Sequence, residues 1–172
     1  EFTRGEFEKD MVLELERKHE FPKKIWRKAC DLGLVGVHFP EEYSGQGLGC
    51  LEDILVVEEL CRGDSTMGSA VALSSFASEI VLHWGSAEMK QKYLPDIASG
   101  EKKAAFALTE ANAGSDASGI QTTAVLDGDE WVLNGTKQWI TNGGEAQIYT
   151  VIAITDRSKG PRGASMFVVE DT

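Results

Sequence analysis

Apolar and polar positions recur with two different periods along this chain, and the change falls near residue 100. Before it the spacing is helical. Phe7, Met11, Leu13 and Leu15 lie within a repeat of acidic and basic residues, as on a solvated helix with one apolar stripe. Pro22 opens a helix over Lys23 to Leu32 as its first-turn proline. Gly33 follows, where a left-handed residue ends a helix. Pro40 and the glycines after it break the chain, and Tyr43 to Gly49 reads as a tight loop between helices. Leu51 to Arg62 is a third helix, with Ile54, Leu55, Val57 and Leu60 at helical spacing. Asp64 and Ser65 cap a fourth, reaching His83. Its Met67, Gly68, Ser69, Ala70, Ala72, Ser74, Ser75, Ala77 and Ser78 are nearly all small. Such a helix either packs tightly at the centre of a bundle or forms a wall that a flat ligand can approach. Ser86 caps a short helix over Ala87 to Leu94, ended by Pro95.

After Lys103 the period shortens towards two. Strands are predicted at Ala104–Leu108, Thr122–Leu126, Glu130–Leu133, Gln138–Thr141, Ile148–Thr155 and Ala164–Val169. The pairs Asp127-Gly128 and Asn134-Gly135 punctuate them as hairpin turns, since these residue types tolerate positive φ. Ser158 to Gly163 is a polar loop. The expectation is an antiparallel meander, a small barrel or an orthogonal sheet. Helices followed by strands make the chain α+β: an N-terminal all-α helical domain over 1–103, then an antiparallel β-barrel-like domain over 104–172.

Composition narrows the function. The chain has 172 residues, 42 % apolar and 26 % charged, enough to bury a core. Lys plus Arg is 17 against 28 Asp plus Glu, a formal charge of −11. That balance argues against a nucleic-acid surface or a polybasic membrane patch. No apolar run approaches the ~20 residues of a membrane span, and the first ten residues lack a signal-peptide core. Cys30, Cys50 and Cys61 are odd in number and widely spaced, so neither a disulfide framework nor a metal clip is expected, and an intracellular compartment fits. His19, His38 and His83 have no helical zinc-pair spacing, and no metal site is expected.

Three stretches could carry chemistry. Phe106-Ala107-Leu108-Thr109-Glu110-Ala111-Asn112-Ala113-Gly114-Ser115-Asp116 joins the two textures. It offers backbone N–H groups and two hydroxyls to an acceptor-rich flat ligand or a phosphate, although plain turns share this composition. Trp139-Ile140-Thr141-Asn142-Gly143-Gly144 reads as a strand ending in a turn, with an indole and a hydroxyl on one face. A core tryptophan would read the same way. In Phe39-Pro40-Glu41-Glu42-Tyr43-Ser44-Gly45-Gln46-Gly47 the paired carboxylates read as solvated charges rather than an acid–base pair.

Taken in order, these stretches resemble the N-terminal part of the acyl-CoA dehydrogenase family. The landmarks are Leu32-Gly33-Leu34-Val35-Gly36 before Phe39-Pro40-Glu41-Glu42-Tyr43, then Glu58-Glu59-Leu60, Gln91-Lys92-Tyr93-Leu94-Pro95 and Ser99-Gly100-Glu101-Lys102. Ala107-Leu108-Thr109-Glu110, Ala113-Gly114-Ser115-Asp116, Leu133-Asn134-Gly135, Lys137 and Trp139-Ile140-Thr141-Asn142-Gly143-Gly144 follow. One departure is Ala111-Asn112, where many members place a proline after the glutamate.

The resemblance implies FAD as cofactor, across the junction of the helical and β domains. It makes Phe106 to Ser115 the first flavin-contacting loop and Trp139, Ile140 and Thr141 the second. Thr109 and Thr141 are implied to hydrogen-bond the isoalloxazine, Trp139 to lie against its face away from the substrate, and Ser115 to contact the acyl-CoA as well. The implied reaction is α,β-dehydrogenation of an acyl-CoA thioester to the 2-enoyl-CoA, with electrons leaving to an electron-transferring flavoprotein. A homotetramer, a dimer of dimers, in the cytoplasm or in the mitochondrial matrix of a eukaryote, comes with it. The family's catalytic glutamate belongs to a C-terminal helical domain outside these residues. The chain is therefore expected to be the N-terminal portion, beginning inside the first helix, with no catalytic residue of its own and no activity alone. The alternatives are a non-catalytic fragment or binding module of the same fold, or a related acyl-CoA oxidase or flavin monooxygenase.

Overall fold

The computed structural model describes residues 1–171. Two compact units divide the chain, the first Glu1–Ala104 and the second beginning at Ala105.

The first unit holds seven helices: α1 (Phe2–Glu6), α2 (Lys9–Lys18), α3 (Lys23–Asp31), α4 (Cys50–Gly63), α5 (Ser65–Ala72), α6 (Ser78–Trp84) and α7 (Ala87–Ala98). On α2 the stripe is Met11, Val12 and Leu15, with Val12 fully inside; Leu13, expected on that stripe, faces outward. Helix α3 ends as its sequence predicts. Gly33 has φ +69°, its N–H donates to the Cys30 carbonyl (2.8 Å), and the Leu34 N–H reaches back to Ala29 (2.9 Å). These are the two bonds that satisfy a helix's last carbonyls around a left-handed residue. The core joins Ile25, Trp26, Ala29 and Cys30 of α3 to Leu60, Met67 and Val71. The glycine-rich stretch after Pro40 is a loop folded around the fully buried Phe39, with the Gly47 N–H on the Phe39 carbonyl at 2.8 Å.

Two expectations for the helices need correction. The fourth helix does not run from Ser65 to His83; it stops at Ala72 and restarts at Ser78. Ala77 takes a left-handed φ of +66°, and Ser75 leaves the helix to bridge Ala104, whose N–H donates to the Ser74 carbonyl at 2.7 Å. The serines bond back to carbonyls three residues earlier, Ser74 Oγ to Val71 and Ser78 Oγ to Ser75, which competes with helix continuation. Their small neighbours serve tight packing: a Cβ on Gly68 would lie 2.6 Å from the α4 backbone at Leu60 and Cys61. The other correction is α7, which continues through Pro95 to Ala98.

Five strands form one sheet: β1 (Ala104–Ala107), β2 (Thr123–Asp127), β3 (Glu130–Asn134), β4 (Ile148–Ile154) and β5 (Ala164–Glu170), all in the second unit except Ala104, the last residue of the first. Strand β4 pairs with β5 antiparallel over its whole length, while β1 and β2 share its other edge. β2 meets β4 in parallel, at Thr123 opposite Ile154. The sheet is therefore mixed and open, not an antiparallel meander or a closed barrel. Its core is Ala113, Ile120, Ile152 and Ile154, with Phe106 and Leu108 packed against them.

The Asp127-Gly128 turn forms as expected: β2 and β3 pair to Asp127 opposite Glu130, with Gly128 at φ +62°. Asn134-Gly135 is not a hairpin. Beyond it the chain crosses to reach β4, because parallel pairing needs a crossover connection. Gly135 is required there by closeness, since a Cβ would overlap the Thr122 side chain. The crossover has no strand over Gln138–Thr141, contrary to expectation, and that segment is where the candidate site lies.

Candidate functional site

Two irregular segments of the second unit carry the candidate residues. The first leaves β1 and doubles back at once. Glu110 N–H donates to the Ala113 carbonyl at 3.0 Å and Ala113 N–H returns to Glu110 at 3.1 Å, with Ala111 and Asn112 exposed at the tip. Ala107, Glu110 and Ala113 are buried; Phe106, Leu108 and Thr109 are half-buried; Gly114 and Ser115 are exposed. A Cβ built on Gly114 meets nothing within 4 Å, so a ligand can approach the backbone there. Asp116 then turns the chain, accepting from the Ser118 N–H at 3.2 Å.

The second segment runs beside the first. Gln138 N–H donates to the Thr109 carbonyl at 2.9 Å. The next residue, Trp139, sits at φ +58° with its side chain 83 % exposed. Positive φ in a bulky non-glycine residue costs free energy, and such outliers cluster where function requires them. Ile140 is half-buried and Thr141 exposed. The turn after them is pinned by Asn142 at φ +64°, by Gly143 N–H on the Ile140 carbonyl (2.9 Å) and by Gly144 N–H on the Tyr149 hydroxyl (3.0 Å). The expected common strand face for Trp139 and Thr141 is thus replaced by a left-handed kink.

Beneath both segments lies a polar cluster whose assembly the sequence reading missed. Lys137 Nζ donates to Glu110 Oε1 and to the Leu108 carbonyl, each at 2.9 Å. The same carboxylate accepts from Thr122 Oγ1 (2.5 Å), Thr122 N–H (3.0 Å) and Gln121 N–H (2.6 Å). Burial alone would push the Glu110 pKa up. The donors from Thr122, Lys137 and Gln121 outweigh it and hold the pKa down at about 2. Glu110 is therefore an engaged anion facing the protein. Lys137 stood out in sequence only as a landmark, and Thr122 and Tyr149 carried no signal beyond ordinary strand residues.

The arrangement offers an exposed indole, exposed hydroxyls on Ser115 and Thr141, the half-buried Thr109 and an open glycine backbone. These suit a planar, acceptor-rich ligand such as a flavin. Nothing in them suits a metal, and no group of three potential ligands exists among the described residues. The cysteines are free thiols, and burial pushes that of Cys30 up to about 12, so it is no nucleophile. In the first unit, His38 lies between Asp53 (Nδ1–Oδ2, 3.5 Å) and Glu79 (Nε2–Oε1, 3.4 Å). Attraction to Asp53, then to Glu79, raises its pKa to about 9 against the opposing effect of burial. No helix among the described residues is long and apolar enough to cross a membrane.

Comparison with known proteins identifies the family. Residues 1–101 match the family model "Acyl-CoA dehydrogenase, N-terminal domain" and residues 105–172 match "Acyl-CoA dehydrogenase, middle domain". The short-chain-specific acyl-CoA dehydrogenase of Clostridium acetobutylicum is 42 % identical over 171 residues, covering 99 % of this chain and 45 % of that protein. A chain in a solved structure described as the electron transferring flavoprotein of Acidaminococcus fermentans superposes with a TM-score of 0.91 at 44 % identity, over 99 % of this chain and 45 % of its own. A glutaryl-CoA dehydrogenase of Mycobacterium smegmatis, solved in complex with FADH2, superposes at 0.78 with 36 % identity, over 87 % of this chain and 38 % of its own. The chain spans less than half the length of these proteins. Two consecutive domain models covering nearly every residue, in the family's order, show that this chain belongs to the acyl-CoA dehydrogenase family.

Proposed function

We propose that these residues supply the flavin-contacting part of an FAD-dependent acyl-CoA dehydrogenase, which converts an acyl-CoA thioester to its 2-enoyl-CoA. The helical domain is taken as 1–103 and the flavin-contacting domain as 104–172. The observation that carries the reading is Trp139, a large aromatic held in a left-handed backbone and left open beside the Thr109 segment. A flat ring lying over the indole would cover the exposed surface and offset the strain. Phe106, Ala107, Leu108, Thr109, Glu110, Ala111, Asn112, Ala113, Gly114 and Ser115 form one contacting loop, and Trp139, Ile140 and Thr141 the other.

Bound FAD supplies hydride acceptance from the β-carbon of the thioester. The chain's own residues hold and orient. Thr109 and Thr141 present hydroxyl donors to ring acceptors, favouring added electron density there. Ser115 steadies the thioester end, and Trp139 screens one ring face from water. Glu110, bonded to four donors and with its pKa held down at about 2, takes no proton. The α-proton requires another base, which the family resemblance assigns to a C-terminal helical domain. A short acyl chain is favoured by the short-chain-specific relative, with an electron-transferring flavoprotein as acceptor. A homo-oligomer in the cytoplasm, or in the matrix of a mitochondrion, completes the reading.

The test is spectroscopic. Trp139→Leu in the full-length protein should raise the emission of bound FAD, because an indole in van der Waals contact quenches it. Thr141→Val keeps shape and removes one hydroxyl. It should weaken FAD binding by about 0.5–1.5 kcal/mol. Unaltered emission and affinity in both variants would overturn the assignment. Residues 1–172 alone, given FAD and acyl-CoA substrates, should show no turnover above free flavin.

A further inference from the structure

We infer that the Lys137–Glu110 pair is a positioning device: it locks the two candidate flavin segments in one register, so that Thr109 and Trp139 face a single ligand. The inference rests on the flavin reading and concerns two side chains whose bonds are all to the protein's own groups.

Lys137 engages both neighbours of Thr109 in sequence. One ammonium hydrogen bonds the Leu108 carbonyl and another the Glu110 carboxylate, both at 2.9 Å. The backbone adds a third link when Gln138 N–H donates to the carbonyl of Thr109 itself. Thr109 is thus held from before, behind and within by two consecutive residues, and Trp139 is the next one along. Rotation of the Thr109 peptide or unwinding of the Trp139 kink would have to break at least one of these bonds.

The far side is equally fixed. Glu110 collects two donors from Thr122 and one from Gln121, and Arg157 Nη2 holds the Gln121 carbonyl at 3.1 Å. The pair is nearly dry, with side chains 11 % and 8 % exposed. Apolar residues of similar volume commonly match or exceed a buried ion pair in stability, so stability alone is a weak reason to keep this one. What the charges add is direction. An ammonium has its donors fixed tetrahedrally and a carboxylate its acceptors in a plane. Satisfying both sets constrains the segments more tightly than contact between apolar chains.

The experiment compares full-length wild type with Glu110→Gln, Lys137→Met and Thr122→Val. Four quantities are measured: FAD dissociation constant, visible bands of bound FAD, hydrogen exchange of the Gln138 amide and far-UV CD. The first two variants should raise the FAD dissociation constant about tenfold, shift the visible bands and speed Gln138 exchange about tenfold. Thr122→Val, which removes one donor and keeps both charges, should change affinity and exchange about threefold. Folded variants with wild-type affinity, bands and exchange overturn the inference. If the charge variants fail to fold, Thr122→Val decides by the same criteria. If wild type binds no FAD, the flavin reading falls. The clasp is then judged by Gln138 exchange alone, where acceleration supports it and wild-type exchange overturns it.

Discussion

The two units each bury part of a charged cluster, and they treat it in opposite ways. In the helical unit His38 stands between Asp53 and Glu79 at 3.4–3.5 Å, beyond good hydrogen-bond distance, with Glu79 half open to solvent. In the β unit Glu110 and Lys137 sit at 2.9 Å, almost dry, with every carboxylate bond short and directed. The first cluster decorates a fold whose core is aliphatic and aromatic: Ile25, Trp26, Leu60 and Val71 need no charge to pack. The second is the fold of its region, because the 108–113 and 137–141 segments have no strand ladder to hold them. Apolar packing tolerates loose electrostatics. An irregular site does not, and its precision has to come from bonds with direction.

Breaking that contrast should produce unequal effects. The largest loss is expected for Phe39→Ala, which empties a fully buried ring position in the helical unit. About 3–5 kcal/mol should go, with little dependence on salt or pH, as followed by urea unfolding. Glu110→Ala should cost about 3 kcal/mol by leaving the Lys137 charge buried without its anion. Its mark is acid behaviour. The Glu110 pKa is lowered from 4.5 to about 2, so its contribution is complete above pH 4.5 and fades as pH falls towards 2. Wild type should lose more β-unit stability across that window than Glu110→Ala, whose remaining acid loss comes from carboxylates such as Asp156. A parallel acid titration of both would fail the comparison if the slopes agreed.

Smaller effects sharpen it. Asp64→Ala removes the carboxylate that accepts from Thr66 N–H (3.0 Å) and Met67 N–H (2.9 Å) at the start of α5, at a cost of about 1 kcal/mol read as a lower unfolding midpoint. His38→Gln should have the smallest effect, because Asp53 and Glu79 stand at 3.4–3.5 Å and are partly open to solvent, which screens the attraction. The sign is opposite to that of Glu110. Its pKa is raised from 6.5 to about 9, so its contribution is full below pH 6.5 and is lost as pH rises through 9. Equal stability of wild type and variant above pH 10, with a gap at pH 6, is the expected pattern.

How much of this was legible in sequence follows the same divide. Periodicity found the helices and strands because repeated contacts with one face leave a repeated pattern. It located Gly33 and Gly128, whose positive φ is a local demand. It failed where a tertiary contact overrode the local one: Ser75 leaves its helix to meet Ala104, and Gly135 yields to Thr122 rather than making a hairpin. In the site, the Thr109 and Trp139 segments were visible as motifs. The bonds that join them directly were not, since these run from Lys137 and Gln138 to partners 27 to 29 residues away. The Trp139 kink was equally hidden, because aromatic residues beside a threonine read as strand.

The left-handed tryptophan has a consequence for how such a chain can change over generations. Glycine is the residue that would relax position 139 most fully, and Trp139→Gly would on backbone grounds favour the folded state. A random search for sturdier variants should therefore find that change attractive and in taking it discard the ring. Selection for thermal endurance and selection for a covered ligand pull this codon apart, a local instance of the stability–activity trade-off. The side chain that endures there marks which of the two pressures has been stronger.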